Sequence, residues 1–135
     1  MANINLENLY DPIRIEFSQA TTNADFSLLF VYAANRAAAR ITREANLTTA
    51  VSRADSQTDT ISLDEAYEDV LLIGIRLNLI ESGFRLRGDP KRVPSAGELD
   101  RAFTVRIGDI QSDIRNTDQA SEDTNAVFGL GVLAN

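Results

Sequence analysis

The chain of 135 residues contains no cysteine and no histidine. Without cysteine, disulfides, thiolate metal sites and cysteine nucleophiles are all excluded. Without histidine, the chain lacks the commonest general base and the commonest metal ligand, and no Ser-His-Asp triad can form. The composition therefore excludes most familiar catalytic and metal sites, and we expect neither a cofactor nor enzymatic activity.

Lysine is almost absent: of the 13 basic residues, 12 are arginines and only Lys91 is a lysine. The formal net charge of the chain is −7. Nucleic-acid binding relies on cations that neutralise phosphates, so this balance disfavours a DNA clamp, although an acidic wall would let DNA slide past it. Arginine is enriched at protein interfaces, where its planar guanidinium makes bidentate pairs. A genome-wide codon preference for arginine would explain the same excess.

Long hydrophobic runs are missing too. No stretch approaches the roughly 18 apolar residues of a membrane span. The best candidate, residues 26–34, is interrupted by Ser27 and followed by Asn35 and Arg36. The first residues also lack the positive charge and apolar run of a signal peptide. We therefore expect a protein made and used in a cytoplasm, with no membrane partner.

Residues 1–20 show no continuous helical stripe, although Leu6, Leu9 and Tyr10 could pack as a single helical turn, and we predict an N-terminal arm or short strand. After the Asp-Pro pair at 11–12, Ile13, Ile15 and Phe17 alternate with charged or polar residues. Such alternation is typical of a half-buried strand. A strand of this kind could pair with a neighbouring subunit by strand addition.

A first long helix is predicted to begin near Thr22 or Asn23, either of which can act as N-cap. It should end at Asn46, because asparagine tolerates the left-handed conformation that terminates helices. Its apolar and small residues recur at spacings of three and four. They are Phe26, Leu29, Phe30, Ala33, Ala34, Ala37, Ala38, Ile41 and Ala45.

A second helix is predicted from a capping box at Ser62 and Glu65, with a stop at Ser82-Gly83 or a little later at Gly88-Asp89-Pro90. Gly74 lies inside it, where glycine costs about 1 kcal/mol relative to alanine. We expect that it allows close packing against the alanine stripe of the first helix. The predicted buried face is Ala66, Tyr67, Val70, Leu71, Ile73, Gly74, Leu77 and Ile80.

A third helix should follow a second capping box at Ser95 and Glu98. Its apolar face consists of Leu99, Ala102, Phe103, Ile107, Ile110 and Ile114, and its other face is charged. The expected fold is mainly α: a small bundle with two long antiparallel helices plus this C-terminal helix. Residues 21–118 form the bundle domain, and we find no internal repeat or second domain.

The connection over residues 47–62 is rich in Thr, Ser, Asp and Ala and is long for a passive loop in a compact domain. Residues 48–53 and 58–63 contain enough β-branched residues to form a hairpin about Ser56-Gln57. A flexible loop is the competing interpretation. We favour an ordered, protruding loop that contacts another protein.

Residues 119–135 are predicted to form an extended C-terminal arm. A polar spacer, residues 119–125, precedes the apolar residues 126–134, which include Gly129 and Gly131. An apolar terminus normally needs a surface to pack on. This one should either fold back on its own bundle or insert into a partner.

Acidic pairs are the nearest approach to a catalytic or metal site. Asp64 and Glu68, like Glu65 and Asp69, are one helical turn apart, so two carboxylates could share a metal. No histidine completes a di-iron site, and acids are favoured at a helix N-terminus in any case. A carboxylate-dependent enzyme therefore stays open only as a minor alternative.

The layout resembles one known family, the head-to-tail adaptor or head-completion proteins of tailed bacteriophages. The likeness spans roughly residues 21–134. It lies in the segment LLFVYAANRAAARITREANL, in the Ser/Thr-rich connection, and in LDEAYEDVLLIGIRLNLIESG. A family-like phrase is formed by Leu63, Asp64, Tyr67, Glu68, Asp69 and Leu71. The strand-like segment near Ile13 departs from the family pattern.

This resemblance implies a structural virion protein of the neck, with twelve copies in a ring beneath the portal and around a channel through which DNA passes. The C-terminal arm would dock on the portal protein through Val127, Phe128, Leu130, Val132 and Leu133. The loop would meet the next neck or tail component through Val51, Arg53, Thr58 and Ile61. The alternative function is a cytoplasmic helical module that binds one protein partner without catalysis.

Overall fold

The computed structural model describes residues 3–20, 22–48, 51–89 and 91–114. These residues are mainly helical, which confirms the predicted fold class. Their elements in chain order are strand β1 (Ile4–Asn5), helices α1 (Leu6–Glu16) and α2 (Phe26–Glu44), strand β2 (Thr60–Ile61), a 3₁₀ turn (Glu65–Tyr67), helix α3 (Glu68–Glu81) and helix α4, which covers 96–114.

Helix α2 follows the predicted stripe, and eight of its residues are buried between Phe26 and Ile41. The predicted N-cap at Thr22 or Asn23 is wrong, because the cap residue is Asp25; the side chain of Asn23 accepts a hydrogen bond from the backbone N–H of Asp25 at 2.9 Å, just before the helix. The predicted end is confirmed: Asn46 has φ of 53°, and the N–H of Leu47 donates to the carbonyl of Thr42. This is the hydrogen bond of a Schellman cap.

Helices α2 and α3 are antiparallel and share the centre of the core. A Cβ built on Gly74 would lie 2.7 Å from the Cβ of Ala37. One turn further along α3, the side-chain amide of Asn78 donates to the carbonyl of Ala33 at 3.3 Å. The predicted role of Gly74 is therefore confirmed, because its missing side chain lets the two backbones approach.

Helix α4 packs across both of these helices. The hydroxyl of Ser95 accepts from the backbone N–H of Glu98, so the predicted N-cap is confirmed. Phe103 is fully buried beside Gly74, and Gln111 donates to the carbonyl of Ala45 at the end of α2. Leu99, Ile107 and Ile110 are also buried, whereas Ala102 and Ile114 of the predicted face are exposed.

The predicted N-terminal strand is wrong, because Ile13 and Ile15 lie in helix α1. Phe17 follows the helix and makes one isolated antiparallel bridge with Leu86 of the same chain. Leu6, Leu9, Ile13 and Phe17 are buried in the core that α2 and α3 also form, so this segment is not an extended arm. Ile15 is 65% exposed on the opposite side of α1.

Pro12 is the reason for that error. A proline inside a helix removes a hydrogen bond and costs about 3 kcal/mol, so the Asp-Pro pair looks like a breaker. Burial of a large apolar side chain contributes about 1.5–3 kcal/mol. The four buried side chains of this segment together outweigh the proline, and the helix continues to Glu16. The side chain of Glu16 then accepts two hydrogen bonds from Arg76 of α3, each at 2.6 Å.

The predicted hairpin does not form among residues 51–63. Strand β2 pairs instead with β1, in the antiparallel register Ile4↔Ile61 and Asn5↔Thr60.

Ser62 does not cap a helix, since its side chain and that of Ser52 each accept from the other's backbone N–H. The cap is Asp64, whose carboxylate accepts from the N–H of Ala66 ahead of α3. The predicted stop of α3 is confirmed, with Gly83 in a left-handed conformation.

None of the helices in the described ranges combines the length and the hydropathy needed to cross a lipid bilayer. The predicted C-terminal arm, residues 119–135, lies outside the described residues.

Candidate functional site

The segment after α2 is held against that helix by one asparagine. The side-chain amide of Asn35 donates to the carbonyl of Ala54 at 2.8 Å, and its Oδ1 accepts from the N–H of Ala54 at 2.9 Å. Ala54 is buried at the contact. The next residues form a turn in which Asp59 accepts from the N–H groups of Asp55 and Ser56. The connection is thus ordered, and it is packed on the bundle.

Replacing Asn35 with leucine should remove both hydrogen bonds of a buried peptide group. We expect a loss of about 2 kcal/mol in the free energy of unfolding, because a buried polar group left unpaired pays its desolvation penalty. Urea denaturation followed by circular dichroism measures this loss. Asn8→Leu on the exposed side of α1 is the matched control, with an expected change within about 0.5 kcal/mol. Equal unfolding midpoints for the two variants would contradict the role of Asn35.

Between this segment and the outer face of α2 lies an open groove of about 470 Å³, which we call the α2 groove. Helix α2 contributes Tyr32, Arg36, Ala39 and Thr42 to its wall, and the connection contributes Val51 and Arg53. Tyr32 is 52% exposed, and Leu28, one turn before it, is 64% exposed. Volumes of about 300–1,000 Å³ are usual for binding sites. Apolar side chains at such a surface are typical of protein contacts.

The charged residues that line the described part of the groove are both arginines, Arg36 and Arg53. None of the described residues that line it is acidic, although the whole chain carries a net charge of −7. Within the described ranges, Arg36 and Arg53 form no ion pair, and the Arg36 guanidinium lies 5.6 Å from the centre of the Tyr32 ring. Unpaired guanidinium groups beside an apolar floor favour a ligand that has both carboxylates and apolar side chains.

Arg40 has a different role from Arg36, although both are arginines of α2. Its guanidinium lies 4.2 Å from the centre of the Phe103 ring and pairs with Glu44 and, at 2.8 Å, with Asp100 of α4. Burial lowers the pKa of Arg40, but the hydrogen bonds and charges of these two carboxylates outweigh it and raise the pKa overall. Arg40 therefore fastens α4 to α2 and is not available to a partner.

A second, smaller cavity of about 230 Å³ adjoins the groove, and Val51 lines both. Its other walls include Leu47, Leu63, Tyr67 and Ile114, the last described residue of α4. Burial, followed by the negative charge of Asp64, raises the pKa of the Tyr67 phenol. Tyr67 is thus a protonated, largely apolar wall at neutral pH, and the cavity favours apolar occupants.

The acidic pairs are not assembled into a site. Asp64 caps the 3₁₀ turn, and Asp69 lies 3.6 Å from Arg106 of α4. The described part of the chain holds no group of three or more His, Cys, Asp or Glu side chains able to bind a metal. Asp64, Glu65 and Asp69 are exposed and Glu68 is half-buried.

The structure brings together only part of the predicted interface. Val51 and Arg53 line the α2 groove, and Thr58 is exposed in the adjoining turn. Ile61 was predicted as a contact residue, but it is fully buried where β2 pairs with β1, and this prediction is wrong. Val127, Phe128, Leu130, Val132 and Leu133 lie outside the described residues.

Sequence reasoning overlooked the α2 wall of the groove. The available signal was the pair Leu28 and Tyr32, which are one turn apart and lie off the buried stripe. Two apolar side chains at that spacing on the otherwise polar face of a helix are a mark of a second contact surface.

Comparison of the chain with protein-family models, with curated proteins and with solved structures finds no match.

Proposed function

We propose that the protein is a non-catalytic structural subunit that works through contacts with other proteins. The observation that carries this proposal is the α2 groove, whose described lining residues provide an apolar floor, two unpaired arginines and no acidic side chain, in a chain that is acidic overall. The connection that forms its second wall is held in place by Asn35, so the surface exists before any partner arrives. Preorganised surfaces bind with a smaller loss of conformational entropy.

The assembly proposed for it is the head-to-tail connector of a tailed bacteriophage. The support is the resemblance described above, together with a fold of the expected kind: antiparallel α2 and α3, with α4 packed on both. In this proposal about twelve copies form a ring under the portal protein, within the virion neck. Residues 126–134 dock on the portal, and Val51, Arg53 and Thr58 face the next neck or tail component. DNA passes through the channel without specific binding, and the negative net charge keeps it from adhering.

The mass of the assembled species tests this proposal. The full chain and the portal protein encoded in the same genome would be purified separately, mixed, and measured by light scattering. We expect a complex that contains one portal ring and a ring of this chain. A free chain that is monomeric decides nothing, but a chain that never associates with the portal ring contradicts the adaptor role.

A deletion provides the matched control for that experiment. Removal of residues 126–135 should leave the helical circular dichroism signal unchanged, because the described core ends at or before residue 114. The same deletion should abolish association with the portal. Loss of the helical signal would show that this segment belongs to the core of the subunit.

The same groove also fits a second function, a helical module that binds one regulatory partner. The two functions differ in stoichiometry, since a module co-purifies with a single partner in a small complex and an adaptor enters a ring. Affinity purification of the chain from its native cell, followed by mass measurement of the complex, separates them.

A further inference from the structure

The α2 groove and the smaller cavity share one lining residue, and the last described residue of α4 lines the smaller one. Ile114 lines the smaller cavity, Val51 lines both cavities, and Tyr32 and Arg36 line the α2 groove. Whatever follows Ile114 in the sequence therefore starts at the smaller cavity.

The sequence that follows is complementary to the α2 groove in both charge and hydropathy. After Arg115, which directly follows Ile114, residues 116–125 include Asp118, Glu122 and Asp123 and no cation. Residues 126–134 are apolar or small and carry no charge. The groove offers the opposite charges through Arg36 and Arg53 and an apolar floor through Tyr32, Ala39 and Val51.

The spacing of the apolar residues fits a shallow groove as well. In an extended chain successive side chains point to opposite sides, so Phe128, Leu130 and Val132 would share one face. Gly129 and Gly131 would lie on the other face, together with Val127 and Leu133.

We infer that residues 126–134 bind the α2 groove of their own chain, with the acidic residues 118–123 beside Arg36 and Arg53. This contact belongs to the free subunit, so it goes beyond the proposed role in the connector and does not depend on it. It covers an apolar segment that would otherwise face water, and it occupies the groove until a partner displaces the segment.

Geometry and concentration favour the same chain over a second copy. Residues 115–127 can span about 40 Å when extended, at roughly 3.3 Å per residue. That reach exceeds the width of a helix, which is about 10–12 Å, several times. A segment tethered by a short linker has an effective concentration of about 1 mM, far above that of a second molecule in dilute solution.

Disulfide trapping in the full chain tests the inference. Because the sequence contains no cysteine, only the introduced cysteines can form disulfides. Ala39→Cys in the groove is combined with Leu130→Cys, and the double variant is oxidised at low protein concentration. The matched control combines Leu130→Cys with Gly108→Cys, an exposed position on α4 with open space around it and closer to Leu130 along the chain. Non-reducing electrophoresis and peptide mass mapping identify the bonds.

We expect an intramolecular disulfide that forms about tenfold or more faster in the groove pair than in the control pair. Equal rates for the two pairs would overturn the inference, because they would show a tail that samples the whole surface. A groove disulfide found only between two molecules would also overturn it, and would identify a second copy as the donor. Both introduced positions in the described region are exposed, so folding is not at risk.

Charge reversal provides a second measurement. Arg53→Glu should slow formation of the groove disulfide, and adding Glu122→Arg and Asp123→Arg to it should restore the rate. Arg101→Glu, an exposed residue of α4, changes the net charge equally and should have no effect. Identical rates in the Arg53 and Arg101 variants would show that charge complementarity plays no part.

Discussion

Replacing Gly74 with alanine should destabilise the protein by about 1–3 kcal/mol, although alanine is the better helix former. The added Cβ would lie 2.7 Å from the Cβ of Ala37 and 2.8 Å from Cε2 of Phe103. The first of these atoms is joined directly to the α2 backbone, so it cannot move unless the helix moves. The two helices must separate, and contacts along their shared face weaken. Thermal and urea unfolding monitored by circular dichroism measure the effect.

Gly108 provides a control in the same chain with the opposite expected sign. It lies on the exposed side of α4, and an added Cβ would meet nothing within 4 Å. Gly108→Ala should therefore stabilise the protein by about 0.5–1 kcal/mol through helix propensity alone. The double variant Gly74→Ala with Ala37→Gly should recover part of the lost stability. A stabilising effect at both glycines would contradict the close approach of α2 and α3.

The second large effect is expected at Ile13. Ile13→Ala should cost about 2–5 kcal/mol, because its fully buried side chain packs in the core shared by α1, α2 and α3 and would leave a cavity. Ile15→Ala makes the same chemical change two residues later, at a position that is 65% exposed, and should change stability by less than about 0.5 kcal/mol. Urea denaturation midpoints of the two variants measure the difference.

That pair of variants also decides between a helix and a subunit-pairing strand. In a strand used for pairing between subunits, loss of either side chain would weaken assembly and leave the free subunit stable. In helix α1, only the Ile13 variant loses stability. Two variants of equal stability would contradict the helical packing of this segment.

Helices α2, α3 and α4 could be predicted from the sequence because each carries a long periodic pattern. The alanine stripe of α2, the interior glycine of α3 and the serine before α4 are local signals whose structural meaning depends little on the rest of the chain. The structure confirms the predicted helix end at Asn46, the close packing at Gly74 and the N-cap at Ser95.

Helix α1 could not be predicted because its sequence fits two periods at once. Leu6, Leu9, Ile13 and Phe17 have helical spacing, whereas Ile13, Ile15 and Phe17 alternate. Pro12 shifts the local preference towards the strand. Burial of the apolar side chains against α2 and α3 selects the helix over the strand. This is a tertiary effect, so it cannot be predicted from a short stretch of sequence.

The groove was harder to predict because its walls come from separate segments. Arg36 and Arg40 are equivalent in sequence, one turn apart on the same helix, yet Arg40 is taken by Asp100 and Phe103 from α4. Residues 51–53 reach the groove because Asn35 binds the peptide group of Ala54. Neither the contacts of Arg40 nor those of Asn35 can be recognised from the residues that surround them in the sequence.

The asparagine that fixes the connection recognises main-chain atoms only. Because Asn35 binds the N–H and carbonyl of Ala54, exposed neighbouring side chains such as Arg53 can change without loss of that anchor. Substitutions there would alter the shape and charge of one wall while the bundle keeps its stability. The fold thus separates the residues that determine its own stability from those that choose a partner, and a lineage could change partners by mutating a few loop positions.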